Sequence, residues 1–287
     1  MLSRSAVALL AASIAAPLLA ADEPEIKWVK GPTKVALGDQ AEIALGADHS
    51  FAAGGDTQRI MERLGNTVSK NEVGLIVPQA QGQDWMLVFE YERVGFVKDD
   101  DKDKIDKNAI LKSISEGTEE ANARRKEMGI PALHVVGWFE EPHYDERTHN
   151  LVWALRAKSD GGEEVINYNM RVLGRHGYMS VTLVDGPQTL ASSKVEVEQL
   201  MKGFDYKVGR SYAEFRPGDK VAEYGLVALV AGGAGAAAAK LGFFAWLAKI
   251  LAKSGKAIVA ALVACGVAVR KFAARLFGRD DPTSDRA

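Results

Sequence analysis

The chain has 287 residues, which is room for one or two domains of ordinary size. Its 36 basic and 38 acidic residues leave no strong positive field to attract nucleic acid, and it has no helix-turn-helix, zinc-finger or aromatic RNA-binding motif. We therefore expect no nucleic-acid partner. The single cysteine, Cys265, lies in an apolar C-terminal stretch, so the rest of the chain has to fold without disulfides.

The first 21 residues have the layout of a cleaved secretory signal. Arg4 supplies a short basic region, an apolar run follows as far as Ala16, and Pro17 ends it before small residues and the first acids. Cleavage is predicted after Ala20 or Ala21. The alternative is an uncleaved N-terminal anchor. The proline and the shortness of the run disfavour it, because a membrane span needs about 20 residues.

Residues 22–223 are predicted to form an exported domain. In the segment DWMLVFEYE, four alternate side chains share one face of a half-buried strand: Trp85, Leu87, Phe89 and Tyr91. Three further alternating segments lie between Asn150 and Val184. An Asp-Gly-Gly turn and Gly177 separate them, which predicts a three-stranded antiparallel meander.

Predicted helices interrupt this strand pattern without a regular βαβ rhythm. The longest is predicted over Asp106–Met128, where Gly129 would end the helix and Gly117 is a point at which it could split. Shorter helices are predicted over Asp56–Leu64 and Ala191–Lys202. Further strands are predicted at 34–37, 41–45, 74–77 and 132–138. The expected fold class is α+β, with a mixed, largely antiparallel sheet and several helices.

Residues 224–272 are predicted to be a C-terminal transmembrane helical region. The apolar run 225–247 is long enough to cross a hydrocarbon core of about 30 Å. The second run, 257–269, is short for a span and is predicted to lie at the interface. Basic residues after both runs, including those of the polar tail 273–287, favour the cytoplasmic side, which predicts one crossing. A two-helix hairpin is the alternative, because five glycines and a lysine weaken the first run.

The segment VKDDDKDKIDKNAI has the alternate aspartates of a calcium loop. Lys104 and Ile110, however, stand where an EF-hand requires a glycine and a bidentate glutamate. We therefore predict a solvated acidic loop that leads into a helix, whose N-terminal dipole favours nearby aspartates.

His143, Asp145 and His149 could hold a metal only if the chain folded back on itself. The two histidines are six residues apart, which matches no helical metal motif, and Pro142 prevents a continuous helix between them. A turn with ordinary polar side chains is predicted instead. Because the chain also lacks a nucleophile elbow, a Ser-x-x-Lys motif and a phosphate loop, we predict no catalytic residue, no metal and no cofactor.

Several long phrases of the sequence resemble a bacterial family of predicted membrane-anchored proteins that carry a domain of unknown function. These phrases are GFVKDDD, GWFEEPHYD, LVWALR, NYNMRVLGRHGYMSV and FRPGDKVAEYGLVALVAGGAGAAAAK, and the resemblance covers about residues 28–240. It implies an exported domain with a C-terminal anchor in a Gram-negative envelope. It implies no reaction.

The family phrases also mark where a binding surface is expected. The marked positions predicted to form it are Asp99, Asp100, Trp138, Tyr144, Asp145, Asn167, Tyr168 and Arg175. Tyr144, Asp145, Asn167 and Arg175 would suit a ligand pocket if they met in space. The structural alternative assigns the aromatic rings to the core and pairs Arg175 with an acid.

The function expected from the sequence is a non-catalytic binding or envelope-organising module. Its anchor would lie in the inner membrane and its main domain in the periplasm. The expected partners are the lipid bilayer and an envelope protein, lipid or wall component. The alternative is a periplasmic hydrolase or metal-dependent enzyme, for which His143, Asp145 and His149 are the candidates.

Overall fold

The computed structural model describes residues 25–66 and 68–231. Its strands are β1 (Trp28–Lys30), β2 (Thr33–Leu37), β3 (Ala41–Leu45), β4 (His49–Ala53), β5 (Glu72–Pro78), β6 (Met86–Glu92), β7 (Leu133–Asp145), β8 (Asn150–Ser159), β9 (Glu164–Gly174), β10 (Gly177–Asp185) and β11 (Phe204–Tyr206). Its helices are α1 (Gly54–Arg63), α2 (Lys107–Glu127), α3 (Leu190–Met201) and α4 (Leu226–Ala231), with 3₁₀ turns at Lys102–Lys104 and Tyr212–Glu214. The predicted α+β class is confirmed.

Two antiparallel sheets form the framework of the domain. The larger has eight strands in the order β1-β4-β5-β6-β10-β9-β8-β7, and the smaller has three in the order β11-β3-β2. The predicted meander is confirmed as β8, β9 and β10, in which Val152 lies opposite Met170 and Met170 opposite Val181. The turn between β9 and β10 requires a glycine, because a Cβ on Gly177 would lie 1.9 Å from the carbonyl oxygen of Glu92.

One face of the large sheet packs against the small sheet and α3. The four alternate residues predicted for β6 are all buried on this face, and Leu190, Val197 and Leu200 of α3 join the same apolar cluster. Tyr206 of β11 ties this cluster to the meander. Its hydroxyl donates to the Val172 carbonyl at 2.7 Å and accepts from the Met179 N–H at 2.9 Å.

Helices cover the two ends of the opposite face, which we call the helix side. Helix α1 packs on β4 and β5, whereas α2 packs on β7 and α4 lies beside α2 and β8. Helix α2 is continuous through Gly117. It begins where the Asp106 carboxylate accepts from the Asn108 and Ala109 N–H groups, and it ends before Gly129, as predicted.

Strand β7 corrects one prediction. The sequence predicted a strand that ends at Trp138 and a polar turn after it, whereas β7 runs to Asp145 and includes Pro142. Proline lacks a donor and is tolerated on edge strands, and β7 is the last strand of its sheet. The pairing of β7 with β8 is also irregular between Val135 and His143, where β7 has extra residues. These extra residues interrupt the alternation of apolar and polar residues in the sequence.

The predicted targeting and anchor segments fall mostly outside the described residues. This applies to the signal 1–21, the second apolar run 257–269 and the tail 273–287. The predicted span 225–247 is described only as far as residue 231, and Leu226–Ala231 are helical. In the described part of the chain, no helix has the length and apolar character needed to cross a membrane.

Candidate functional site at the acidic loop

Two of the predicted site residues, Asp99 and Tyr144, meet near the end of β7. Tyr144 lies opposite Leu151 and faces the helix side of the sheet. Its hydroxyl donates to Asp99 Oδ2 at 3.0 Å and lies 3.0 Å from Nδ1 of His149. When Nδ1 carries the hydrogen, the imidazole donates to the phenol and the phenol donates to the carboxylate. Tyr144 therefore links the acidic loop to the β7–β8 turn.

Aromatic rings extend this contact. The His149 ring packs on Tyr212 with centroids 4.4 Å apart, and Phe96 stacks on Tyr212 at 4.4 Å and on Phe215 at 4.1 Å. The Tyr212 hydroxyl donates to the Val97 carbonyl at 3.1 Å. We call this group the rim cluster: Phe96, Asp99, Tyr144, His149, Tyr212 and Phe215. It joins three segments that are distant in the sequence.

The two tyrosines of the rim cluster have raised pKa values. Burial, with the nearby Asp99 carboxylate adding to it, raises the pKa of both Tyr144 and Tyr212 above the usual value. The two phenols therefore stay protonated at neutral pH and serve as hydrogen-bond donors. His149 adopts a left-handed backbone conformation with φ of 53°, which is costly for a non-glycine residue. The contacts of its ring with Tyr144 and Tyr212 help to hold it there.

A second aspartate of the acidic loop, Asp101, caps helix α4. Its carboxylate accepts from the Leu226 N–H at 2.9 Å and from the Val227 N–H at 3.3 Å. Gly225 is needed beside it, because a Cβ there would lie 2.5 Å from the carboxylate. An acid at this position satisfies N–H groups that have no partner within the helix and favours its positive end.

Helix α4 is also buried against the domain. Leu226, Leu229 and Val230 lie in one apolar cluster with Ile110 and Ile114 of α2. The start of the apolar C-terminal region is thus fixed to the folded domain. The prediction of a solvated acidic loop holds for Asp100 and Asp103, which are exposed, whereas Asp99 and Asp101 are half-buried and accept hydrogen bonds from the folded domain.

Trp138 and Asp145 lie near the rim cluster without joining it. The Trp138 ring packs among apolar residues of the helix side, and its Nε1–H donates to the Lys107 carbonyl at 3.2 Å. Asp145 is next to Tyr144 on the strand and so points to the other face. It accepts from the Arg147 N–H at 2.9 Å, and such hydrogen bonds lower its pKa.

Asn167 and Tyr168 point to opposite faces of β9. Tyr168 is buried between the two sheets, where Lys194 Nζ lies 4.6 Å from the ring centroid. Asn167 is buried on the helix side opposite Leu155. Tyr144 lies opposite Leu151, and Leu151 is four residues away from Leu155 on β8. Asn167 is therefore about 13 Å from the rim cluster along the strands.

Arg175 has a structural role at the β9–β10 turn. Its guanidinium binds both carboxylate oxygens of Asp219, at 2.7 and 2.9 Å, and thereby lowers the pKa of Asp219 to about 2. The predicted pairing of Arg175 with an acid is confirmed. The fold does not bring Tyr144, Asp145, Asn167 and Arg175 into one pocket.

The three metal candidates do not converge. His143 lies opposite Val152 and its side chain is 55% exposed, whereas His149 contacts Tyr144 on the helix side. Across residues 25–66 and 68–231, no three histidine, cysteine, aspartate or glutamate side chains group closely enough to hold a metal ion.

Sequence reasoning missed Phe96, Tyr212 and Phe215 as members of this site and missed the cap formed by Asp101. Phe96 and Phe215 stand inside the family phrases GFVKDDD and FRPGDKVAEYG, which was an available signal. No sequence signal indicated the cap, because Asp101 and Leu226 are 125 residues apart.

Comparisons with known proteins add a family and one solved structure. A family model described as "Protein of unknown function (DUF2167)" matches residues 29–266. No curated protein matches the chain. The solution structure of cyanobacterial PsbP (CyanoP) from Synechocystis sp. PCC 6803 is 8% identical and aligns over 67% of this chain and 98% of that one, with a TM-score of 0.36. A likeness at that TM-score supports no conclusion about this chain.

Proposed function

We infer that this chain, which belongs to the family described as "Protein of unknown function (DUF2167)", is a membrane-anchored envelope protein. Its folded domain is a non-catalytic module that binds or organises an envelope protein, lipid or wall component. The anchor lies in the inner membrane and the main domain in the periplasm.

The docking of α4 carries this proposal. Asp101 caps the helix, and Leu226 and Leu229 are buried in the domain, so a helix starts inside the fold just where the sequence turns apolar. The apolar run continues to residue 247 and is long enough to cross a bilayer.

Export is supported by the sequence of the N-terminus. A short basic region, an apolar run and small residues are the features of a secretory signal over residues 1–21. The basic residues after both C-terminal apolar runs favour the cytoplasm, which is compatible with one crossing and an external domain. A two-helix hairpin is the alternative topology.

Fractionation of cells tests the proposal. The full-length chain, expressed in a Gram-negative cell, is expected in the inner-membrane fraction and should stay there after alkaline carbonate washing. A matched chain that ends at Ala231 keeps α4 and lacks the rest of the apolar run, so we expect it in the soluble periplasmic fraction. Release of the full-length chain by carbonate contradicts anchoring, and recovery of the shortened chain from the cytoplasm contradicts export.

The alternative function, a periplasmic hydrolase or metal-dependent enzyme, makes a different prediction. It requires a stoichiometric metal or a measurable turnover in the purified full-length protein. Elemental analysis after purification without chelator distinguishes the two, because the binding module is expected to carry no stoichiometric metal.

A further inference from the structure

Polar side chains lie at the centre of the helix side of the large sheet, between two apolar clusters. One row crosses three strands, with Arg171 on β9 opposite Ser180 on β10 and Ser180 opposite Glu90 on β6. In the next row Asn169 lies opposite Thr182, and the Thr182 hydroxyl donates to Asn169 Oδ1 at 3.3 Å. We call these five residues the central polar cluster.

No sequence pattern predicted this cluster. The alternation of β6 predicted a polar, solvent-facing side for Glu90, whereas Glu90 is half-buried beside Ser180. Asn169, Arg171, Ser180 and Thr182 are all buried. Buried polar groups are costly to a fold unless they are paired, so a set of them in the middle of a sheet calls for an explanation.

Arg171 has few protein partners for its five N–H donors. Its side chain is buried, with the residue 6% exposed, and its one hydrogen bond within the described chain runs from Nη1 to the adjacent Met170 carbonyl at 3.3 Å. It stacks over the rings of Trp153 at 4.7 Å and Tyr178 at 6.0 Å. Glu90 and Glu92 influence it through space, but no described carboxylate forms an ion pair with it.

A guanidinium has five N–H donors, and burying it without an anion costs several kcal/mol. A second donor nearby is also unsatisfied. Trp153, on β8 opposite Asn169, is fully buried, and its Nε1–H has no acceptor within the described part of the chain. The helix side thus holds a guanidinium with a single protein hydrogen bond and, nearby, one buried indole N–H without an acceptor among the described residues. These donors are complementary to a ligand that supplies acceptor oxygens and negative charge.

We propose that the central polar cluster binds a small organic molecule through a single carboxylate group held by the Arg171 guanidinium. The planar fork of arginine matches a carboxylate with two parallel hydrogen bonds, and the Trp153 Nε1–H is available as a further donor. Glu72, Glu90 and Glu92 lie on the neighbouring strands β5 and β6. Their negative charge opposes the binding of any anion, and it opposes a dianion such as phosphate more strongly than a monoanion.

This site is separate from the rim cluster, and it gives the binding role proposed above a ligand class. Only its place in the envelope rests on that proposed function. Binding is measured on purified protein and anchoring by fractionation, so failure of one proposal is distinguishable from failure of the other.

Glu90 makes the binding depend on pH. The groups that face it are Arg171 on β9, Tyr178 on β10 and Glu72 on β5, with Glu92 on its own strand. Burial raises the pKa of Glu90 to about 7, and Arg171 opposes that rise. Protonation of Glu90 removes a charge that competes for Arg171, so a carboxylate ligand should bind several-fold more tightly at about pH 6 than at about pH 8. Glu90→Gln should remove this dependence.

The test uses the full-length protein in detergent, with acetate and inorganic phosphate as probes at matched ionic strength. Acetate is expected to raise the thermal midpoint in a saturable manner, since a ligand that binds only the folded state stabilises it, and phosphate is not. Arg171→Met keeps the side-chain volume and should abolish the acetate response. Without acetate, at about pH 5.5 where Glu90 is protonated, its midpoint should be unchanged or higher, because an apolar residue replaces a buried charge that has no ion pair. The matched control is Arg93→Met, since Arg93 is an exposed arginine paired with Asp39, and it should respond as the unaltered protein does.

Four results would overturn the proposal. Acetate could fail to stabilise the unaltered protein, or phosphate alone could stabilise it, which would assign the site to another ligand class. Acetate could also stabilise Arg171→Met equally, which would place binding elsewhere. A large loss of stability in ligand-free Arg171→Met would show that Arg171 acts as the structural partner of Glu90.

Discussion

Replacing Leu226 with alanine should lower the free energy of unfolding by about 2–5 kcal/mol, the usual cost of removing a buried leucine side chain. Leu226 is 0% exposed and packs in the cluster that joins α4 to α2 and β8. The large effect follows only if the first turn of the C-terminal apolar region belongs to the folded core. Urea unfolding of the full-length protein in detergent, monitored by tryptophan fluorescence, measures it.

Val208→Ala is the control for this experiment, because Val208 is 97% exposed and the change should cost less than about 0.5 kcal/mol. Asp101→Ala removes the cap of the same helix and should cost about 1 kcal/mol. A double variant should lose less than the sum of the two single losses, because the two residues hold the same element. If Leu226→Ala proves as mild as Val208→Ala, α4 does not dock on the domain in solution.

The second large effect is a change in pH dependence when Glu90 is replaced with glutamine. Burial raises the pKa of Glu90 from 4.5 to about 7. Between these two values the folded state holds a proton that the unfolded state has released, so the Glu90 contribution to stability falls as pH rises. The loss is complete above the folded pKa and amounts to about 3 kcal/mol.

Glu90→Gln should therefore gain stability relative to the unaltered protein as pH rises from about 4.5 to 7, and the difference should be constant at higher pH. The quantity to measure is the difference between the two curves of unfolding free energy against pH. His134, whose pKa is raised by Glu119, contributes to both curves and cancels. Asp219 titrates below this window, since Arg175 lowers its pKa to about 2. If the two curves were parallel, the pKa of Glu90 would not be raised in the folded state.

Local sequence patterns predicted much of this fold. The alternation in β6 and in the meander, and the glycine that ends α2 at Gly129, are signals within a few residues of one another. Such signals depend on backbone geometry and turn chemistry, and they can be read without knowing the fold. The predicted strand at β7 was too short, because Pro142 and irregular pairing interrupt the alternation that marks a strand.

The contacts of the site could not be predicted in the same way. Asp101 and Leu226, or Tyr144 and Asp99, meet only because the sheet order places β7 and β8 beside the acidic loop. Local sequence patterns do not predict the central polar cluster either, for a related reason. An acid on one face of an alternating strand is typical of an exposed face, and only the tertiary fold shows that Glu90 is half-buried in a row with the buried Ser180 and Arg171.

Cysteine labelling tests the anchored arrangement most directly. In a Cys265→Ala background, single cysteines are placed by Val208→Cys in the domain, by Ser254→Cys between the apolar runs and by Ser284→Cys in the tail. With a membrane-impermeant thiol reagent admitted to the periplasm, we expect Val208→Cys to react in intact cells and the other two to react only after lysis. Labelling of Ser284→Cys alone among those two would favour the hairpin. Labelling of Ser254→Cys before lysis, or protection of Val208→Cys until lysis, would contradict a periplasmic domain held by a C-terminal membrane anchor.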